Sequence, residues 1–136
     1  MEIDGLLIPD LLLSMIAMGR WPSTVESISD QNLQSLIPTD RNRTLRSICL
    51  FPPPFRTLVN AANDDFFRTH GVIWQLKPEL AVSIADFGWG ADSPILLYYH
   101  KTKAEPIVIN LEWRDSGNLW VVMSESFAEF VELLGI

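Results

Sequence analysis

The sequence predicts an α+β fold: an antiparallel sheet of about five to six strands with flanking helices. Three observations predict it. From Val72 onward the apolar residues recur with the period of strands, the connections between the last strands are too short for parallel crossovers, and the final segment carries a full set of helix signals. A chain of 136 residues can bury one sizeable core but not two, so residues 1–136 read as a single domain.

Near the beginning, Pro9 suits the first turn of a helix because its missing N–H would have no intrahelical partner there. Leu12, Met15 and Ile16 follow at helical spacing, and Gly19 and Pro22 end the element. Residues 23–44 are polar, with Ile28, Leu33, Leu36 and Ile37 as scattered anchors, and read as loop with one short helical turn. Leu45 to Phe51 is β-prone and stops at Pro52-Pro53-Pro54, where three residues without N–H groups force a turn. Phe55, Leu58, Val59, Ala62 and Phe66 then predict a helix near 55–70, closed by Gly71 after His70.

The strands expected next are Val72–Trp74, Leu80–Ile84, Ile95–Tyr99, Ile107–Trp113 and Leu119–Met123. Alternation is clearest where Ile107, Ile109, Leu111 and Trp113 share one face and Val108, Asn110 and Glu112 the other, the pattern of a half-buried antiparallel strand. Connections at 101–106 and 114–118 permit hairpins, so the last three strands form a meander. The chain ends in a helix with Ser126 as N-cap, Glu129 three residues on, and an apolar stripe of Phe127, Phe130, Val131 and Leu134 before Gly135.

Composition narrows the function. Apolar residues make up 48% and charged residues 20%, which places the chain among folding globular sequences. Seventeen acids against ten bases give a net charge of −7, which repels a phosphate backbone and excludes general nucleic-acid binding, whereas a basic partner fits. The acids are concentrated at the ends: −4 over residues 1–30, +2 over 31–85 and −5 over 86–136. Cys49 is the one cysteine, sits in an apolar run, and suits a reducing compartment. The apolar opening lacks a basic leader and is broken by Pro9-Asp10 far short of a membrane span, so it reads as a core-facing helix of a cytoplasmic protein with no membrane partner.

No motif points to catalysis. The string Phe87-Gly88-Trp89-Gly90-Ala91-Asp92-Ser93-Pro94 has neither the Gly-Lys-Ser/Thr of a phosphate loop nor the third glycine of a dinucleotide turn, and a strand follows it rather than a helix. His70, His100 and Cys49 are too scattered to suggest a metal centre. Cys49 has no activating neighbour in sequence, no serine sits in Gly-x-Ser-x-Gly, and Arg41, Arg43 and Arg46 are too few for an RNA groove. The expectation is therefore a chain with no cofactor, no metal and no catalytic residues.

The second half resembles the SUKH superfamily, which includes fungal cell-wall regulators of the Smi/Knr type and many bacterial immunity proteins. The resemblance rests on Ile84-Ala85-Asp86-Phe87-Gly88-Trp89-Gly90-Ala91-Asp92-Ser93-Pro94-Ile95, on Pro106-Ile107-Val108, on Trp120-Val121-Val122 and on Ser126-Phe127-Ala128-Glu129-Phe130. Gly19-Arg20-Trp21-Pro22 and Leu50-Phe51-Pro52-Pro53-Pro54-Phe55 also look like a bacterial subgroup. One departure stands out: where relatives tend to place an acid before the tyrosine that ends the strand after the glycine turn, this chain has Tyr98-Tyr99.

The resemblance implies a sheet flanked by helices, no catalytic centre, and a non-catalytic protein-binding role, often as the antidote to a toxin. Charge then favours a basic, nuclease-like toxin as partner. The expected contact surface is the glycine loop with the meander, Trp89 and Tyr99 serving as aromatic anchors and Asp92, Glu112 and Asp115 as acidic contacts. Two alternatives stay open: a small hydrolase-like enzyme whose site is assembled from distant residues, and a housekeeping regulatory scaffold that differs only in its partner.

Overall fold

The computed structural model describes residues 1–24, 30–32, 47–61, 76–87, 94–112 and 119–136. The strand expected at Val72–Trp74, the cap at His70-Gly71, the later turns of the helix expected to Phe66 and beyond, and the loop Gly88–Ser93 lie outside these residues.

The chain opens with a hairpin that the apolar pattern did not suggest. Strands β1 (Glu2–Ile3) and β2 (Leu6–Leu7) pair antiparallel around Asp4-Gly5. Both turn residues have positive φ, 51° and 85°, as a two-residue type I′ turn requires, and Asp-Gly is a favoured pair for it. Helix α1 (Asp10–Ala17) follows, with Pro9 at the N-cap rather than inside the first turn, its carbonyl accepting from the N–H groups of Leu12 and Leu13. Gly19, at φ 73°, closes α1. Its N–H reaches the Ile16 carbonyl and that of Arg20 reaches the Met15 carbonyl, the paired bonds of a Schellman cap.

Six strands then form an antiparallel sheet in simple chain order: β3 (Asp30–Asn32), β4 (Ser47–Leu50), β6 (Ala81–Phe87), β7 (Pro94–Tyr98), β8 (Ile107–Glu112) and β9 (Leu119–Ser124). Strand β3 falls inside the segment read as loop, and its polar residues give no β signal because the backbone pairing to β4 supplies the order. The expected strand boundaries hold elsewhere to within a few residues. The triple proline does turn the chain, yet only as an excursion. After β4 pairs Leu50 with Ala85, the Phe51 N–H still donates to the Ile84 carbonyl, and beyond the prolines β5 (Arg56–Thr57) resumes pairing with β6 at Ser83 and Val82. The peptide between Pro53 and Pro54 is cis. Two residues expected in the helix are thus strand, and α2 (Leu58–Ala61) begins only at Leu58.

Both faces of the sheet are buried. On the first lie Val82, Ile84, Ile95, Leu97 and Val108, packed against the hairpin, α1, Trp21 and the C-terminal helix α3 (Phe127–Leu134). On the second lie Ala81, Leu96, Ile109 and Leu111 with Leu58 and Leu76. Ile109 and Leu111 are buried on the face they share with Ile107, and Asn110 and Glu112 opposite them are half-buried as the alternation implies, but Val108 on that second side is fully buried too. The cause is a cover on each face, as in a sheet sandwiched between layers.

Helix α3 forms where its signals place it. Ser126 Oγ accepts from the Glu129 N–H at 3.1 Å, while the Glu129 carboxylate returns to the N–H of Glu125, one residue before the N-cap itself. Phe127, Phe130 and Leu134 are buried on the first face, and Gly135 ends the helix in the left-handed conformation. No helix among the described residues is long and apolar enough to cross a membrane.

Replacing Phe130, which is wholly buried, by Ala is expected to cost about 3–5 kcal/mol in urea unfolding, because transfer and cavity terms add. An unchanged midpoint would show that α3 contributes no packing to the sheet.

Candidate functional site

The surface anticipated for a partner combined the glycine loop with the meander, and its members fall out differently. Trp89, Asp92 and Asp115 lie outside the described residues. Glu112 is half-buried at the end of β8, directly across from Leu119 on β9.

Tyr99 is not a surface anchor. It is 2% exposed, and the reason is the strand period: Ile95, Leu97 and Tyr99 share the first face, which brings the ring beneath the N-terminal hairpin. Its hydroxyl donates to the Leu7 carbonyl at 2.7 Å, and its N–H donates to the Leu80 carbonyl. Tyr99 thus fastens the hairpin to the sheet. Its neighbour Tyr98 faces the opposite side, where it is half-buried, stacks on His100 with ring centroids 6.0 Å apart, and accepts a hydrogen bond from the Lys77 N–H. At the position where the resemblance leads one to expect an acid, this chain therefore has an aromatic pair.

What the structure does bring to the surface is the outer edge of the meander. Among the described residues β9 pairs with β8 alone, so its other side presents backbone donors and acceptors. Leu119 is 46% exposed and Val122 49%, the former on the first face with Val121 and Glu112, the latter on the second beside half-buried Trp120. Helix α3 packs next to β8 and β9, and the exposed carboxylates of Glu125, Glu129 and Glu132 follow directly on the edge strand. Residues 119–136 contain no lysine or arginine. That run without a cation is the signal the sequence carries for this surface.

Among the described residues the geometry offers main-chain pairing at β9, two exposed aliphatic side chains and, next in sequence, three exposed carboxylates. These are means of binding an extended or basic segment of another chain. Comparison with protein-family models, with curated proteins and with solved structures finds no match, so the reading stands on the residues themselves.

Burial pushes the Tyr99 hydroxyl far above the ordinary tyrosine value. The unfolded chain releases this proton near pH ~10 while the folded chain keeps it, so stability is intact below that pH and falls as pH rises beyond it. The urea midpoint of Tyr99→Phe is therefore expected to decline less steeply than that of the parent above pH ~10. Equal slopes would mean that Tyr99 ionises in the folded chain.

Proposed function

We propose that this chain is a non-catalytic protein-binding domain of the SUKH type, acting stoichiometrically as an immunity protein that neutralises a basic, nuclease-like toxin in the cytoplasm. The observation that carries this reading is the β9 edge, which among the described residues pairs with β8 alone, with exposed Leu119 and Val122, followed in sequence by the exposed Glu125, Glu129 and Glu132 and with no lysine or arginine from residue 119 through 136. Negative charge around an apolar edge steers a basic partner and disfavours an acidic one, while the exposed aliphatic side chains slow its departure.

Two further observations support it. The antiparallel sheet with covering helices is the architecture that the resemblance implies. The two upstream strings that carry the resemblance also meet: the Trp21 indole N–H donates to the Phe51 carbonyl at 2.8 Å, and the Trp21 ring packs against Phe127 at 5.9 Å. Asp115 lies in the sequence between β8 and β9, and with Trp89 and Asp92 it remains part of the proposed contact surface.

Capture from the native host with the immobilised chain, followed by mass spectrometry, is expected to return a basic protein encoded beside this one. Joint reversal of Glu125 and Glu132 to Lys should slow association with that protein about tenfold or more and flatten its salt dependence, and Leu119→Ser with Val122→Ser should mainly speed dissociation. An acidic partner, or wild-type kinetics in both variants, would refute the proposal.

A further inference from the structure

A second feature lies away from the edge strand and owes nothing to it. The hairpin turn, the β5–α2 junction, the 3₁₀ turn Pro78–Leu80 and the loop at 101–105 border a half-open cleft of about 370 Å³, at the small end of the ~300–1,000 Å³ typical of ligand pockets. Its walls are tied together by backbone bonds: the Leu7 N–H donates to the Lys103 carbonyl, and the Tyr99 N–H to that of Leu80. The cleft is therefore set by the fold rather than by loose side chains.

Three charges look into it: Asp4, Glu79 and Lys103. The Asp4 carboxylate is positioned by two donors. Asn60 Nδ2 lies 2.6 Å and Thr57 Oγ1 3.3 Å from Oδ2, while Oδ1 takes no hydrogen bond from the described residues. Among the described residues Lys103 forms no ion pair with either carboxylate, so all three charged groups stay available to a ligand. Carboxylates and an ammonium held apart across such a volume match a small molecule carrying both charges. Between them the wall is apolar, formed by Leu6, Leu80 and Val59.

We propose that this cleft binds a free aliphatic α-amino acid, its ammonium received by Asp4 and Glu79, its carboxylate by Lys103, and its side chain lying against Leu6 and Leu80. A basic side chain alone would meet Lys103 as a like charge, and a simple anion would meet two carboxylates. Only a zwitterion satisfies all three groups.

The test is titration of the intact chain with each of the twenty L-amino acids, followed by calorimetry and by the backbone amide signals of Asn60, Glu79 and Lys103. L-Leucine or an aliphatic homologue is expected to saturate. Leucinamide, which lacks the carboxylate, and N-acetylleucine, which lacks the ammonium, should each bind about tenfold more weakly or worse. Because Asp4 also anchors the hairpin turn, the variants of choice are the exposed Lys103→Met and Glu79→Gln, each expected to weaken binding while leaving the melting temperature of the free chain unchanged. The proposal is overturned if no amino acid shifts those signals up to about 10 mM, a concentration that would reveal even millimolar affinity. It is equally overturned if the two leucine derivatives bind as well as leucine. Neither result bears on partner binding at β9, whose test residues Leu119, Val122, Glu125 and Glu132 do not line the cleft.

Discussion

The rest of the structure depends on covering the first face of the sheet. Strand β7 places Ile95, Leu96 and Leu97 in succession at zero exposure, so apolar side chains leave it in both directions and neither face can meet water. From β6 to β9 the strands follow one another through short connections, and the first face is roofed by the two ends of the chain: the hairpin and α1 from one end, α3 from the other. Two of the aromatic side chains buried at this seam, Trp21 and Tyr99, bring a polar tip that must be satisfied. Trp21 donates to Phe51 and Tyr99 to Leu7, both to backbone carbonyls. Among the described residues no buried side-chain nitrogen or oxygen is left without a partner.

The first of these bonds explains why the proline excursion is tolerated. Residues Pro52 to Phe55 leave the β6 ladder, and the last ladder residue before them, Phe51, offers its carbonyl to the Trp21 indole. A break that would leave a backbone acceptor unpaired is thereby closed by a side chain from the opposite layer. The strand then resumes at Arg56, so β4 and β5 act on β6 as one interrupted strand.

What was legible in the sequence follows from how local each cause is. Ser126, Glu129 and Gly135 specify their own helix within ten residues, and α3 forms as they dictate. Strand existence in the meander was equally clear. Facing was not: alternation distinguishes in from out only when one side is wet, and Tyr98-Tyr99 gives no sign of which ring is covered by a hairpin some ninety residues away. The hairpin itself was announced by Asp4-Gly5, but the apolar run Leu6-Leu7-Ile8 that follows it read as helix. Strand β3 was invisible because its order comes from pairing with β4 and not from its own polar residues. Of the anticipated contact residues, only Glu112 lies described at the surface, and only partly so.

A strand edge that carries Leu119 and Val122 and, among the described residues, pairs on one side alone is ordinarily a hazard, since nothing in its backbone distinguishes an intended partner from a second copy. Many proteins blunt such an edge with lysine. This chain has none from residue 119 onward and instead follows the edge strand with three exposed carboxylates. Against another copy bearing −7 overall and the same three glutamates at the same place, edge-to-edge pairing would set like charges together. Against a basic chain the same groups attract. On the proposed reading, one arrangement of charge thus both suppresses self-association and selects the partner, and the exposed aliphatic residues need no further protection.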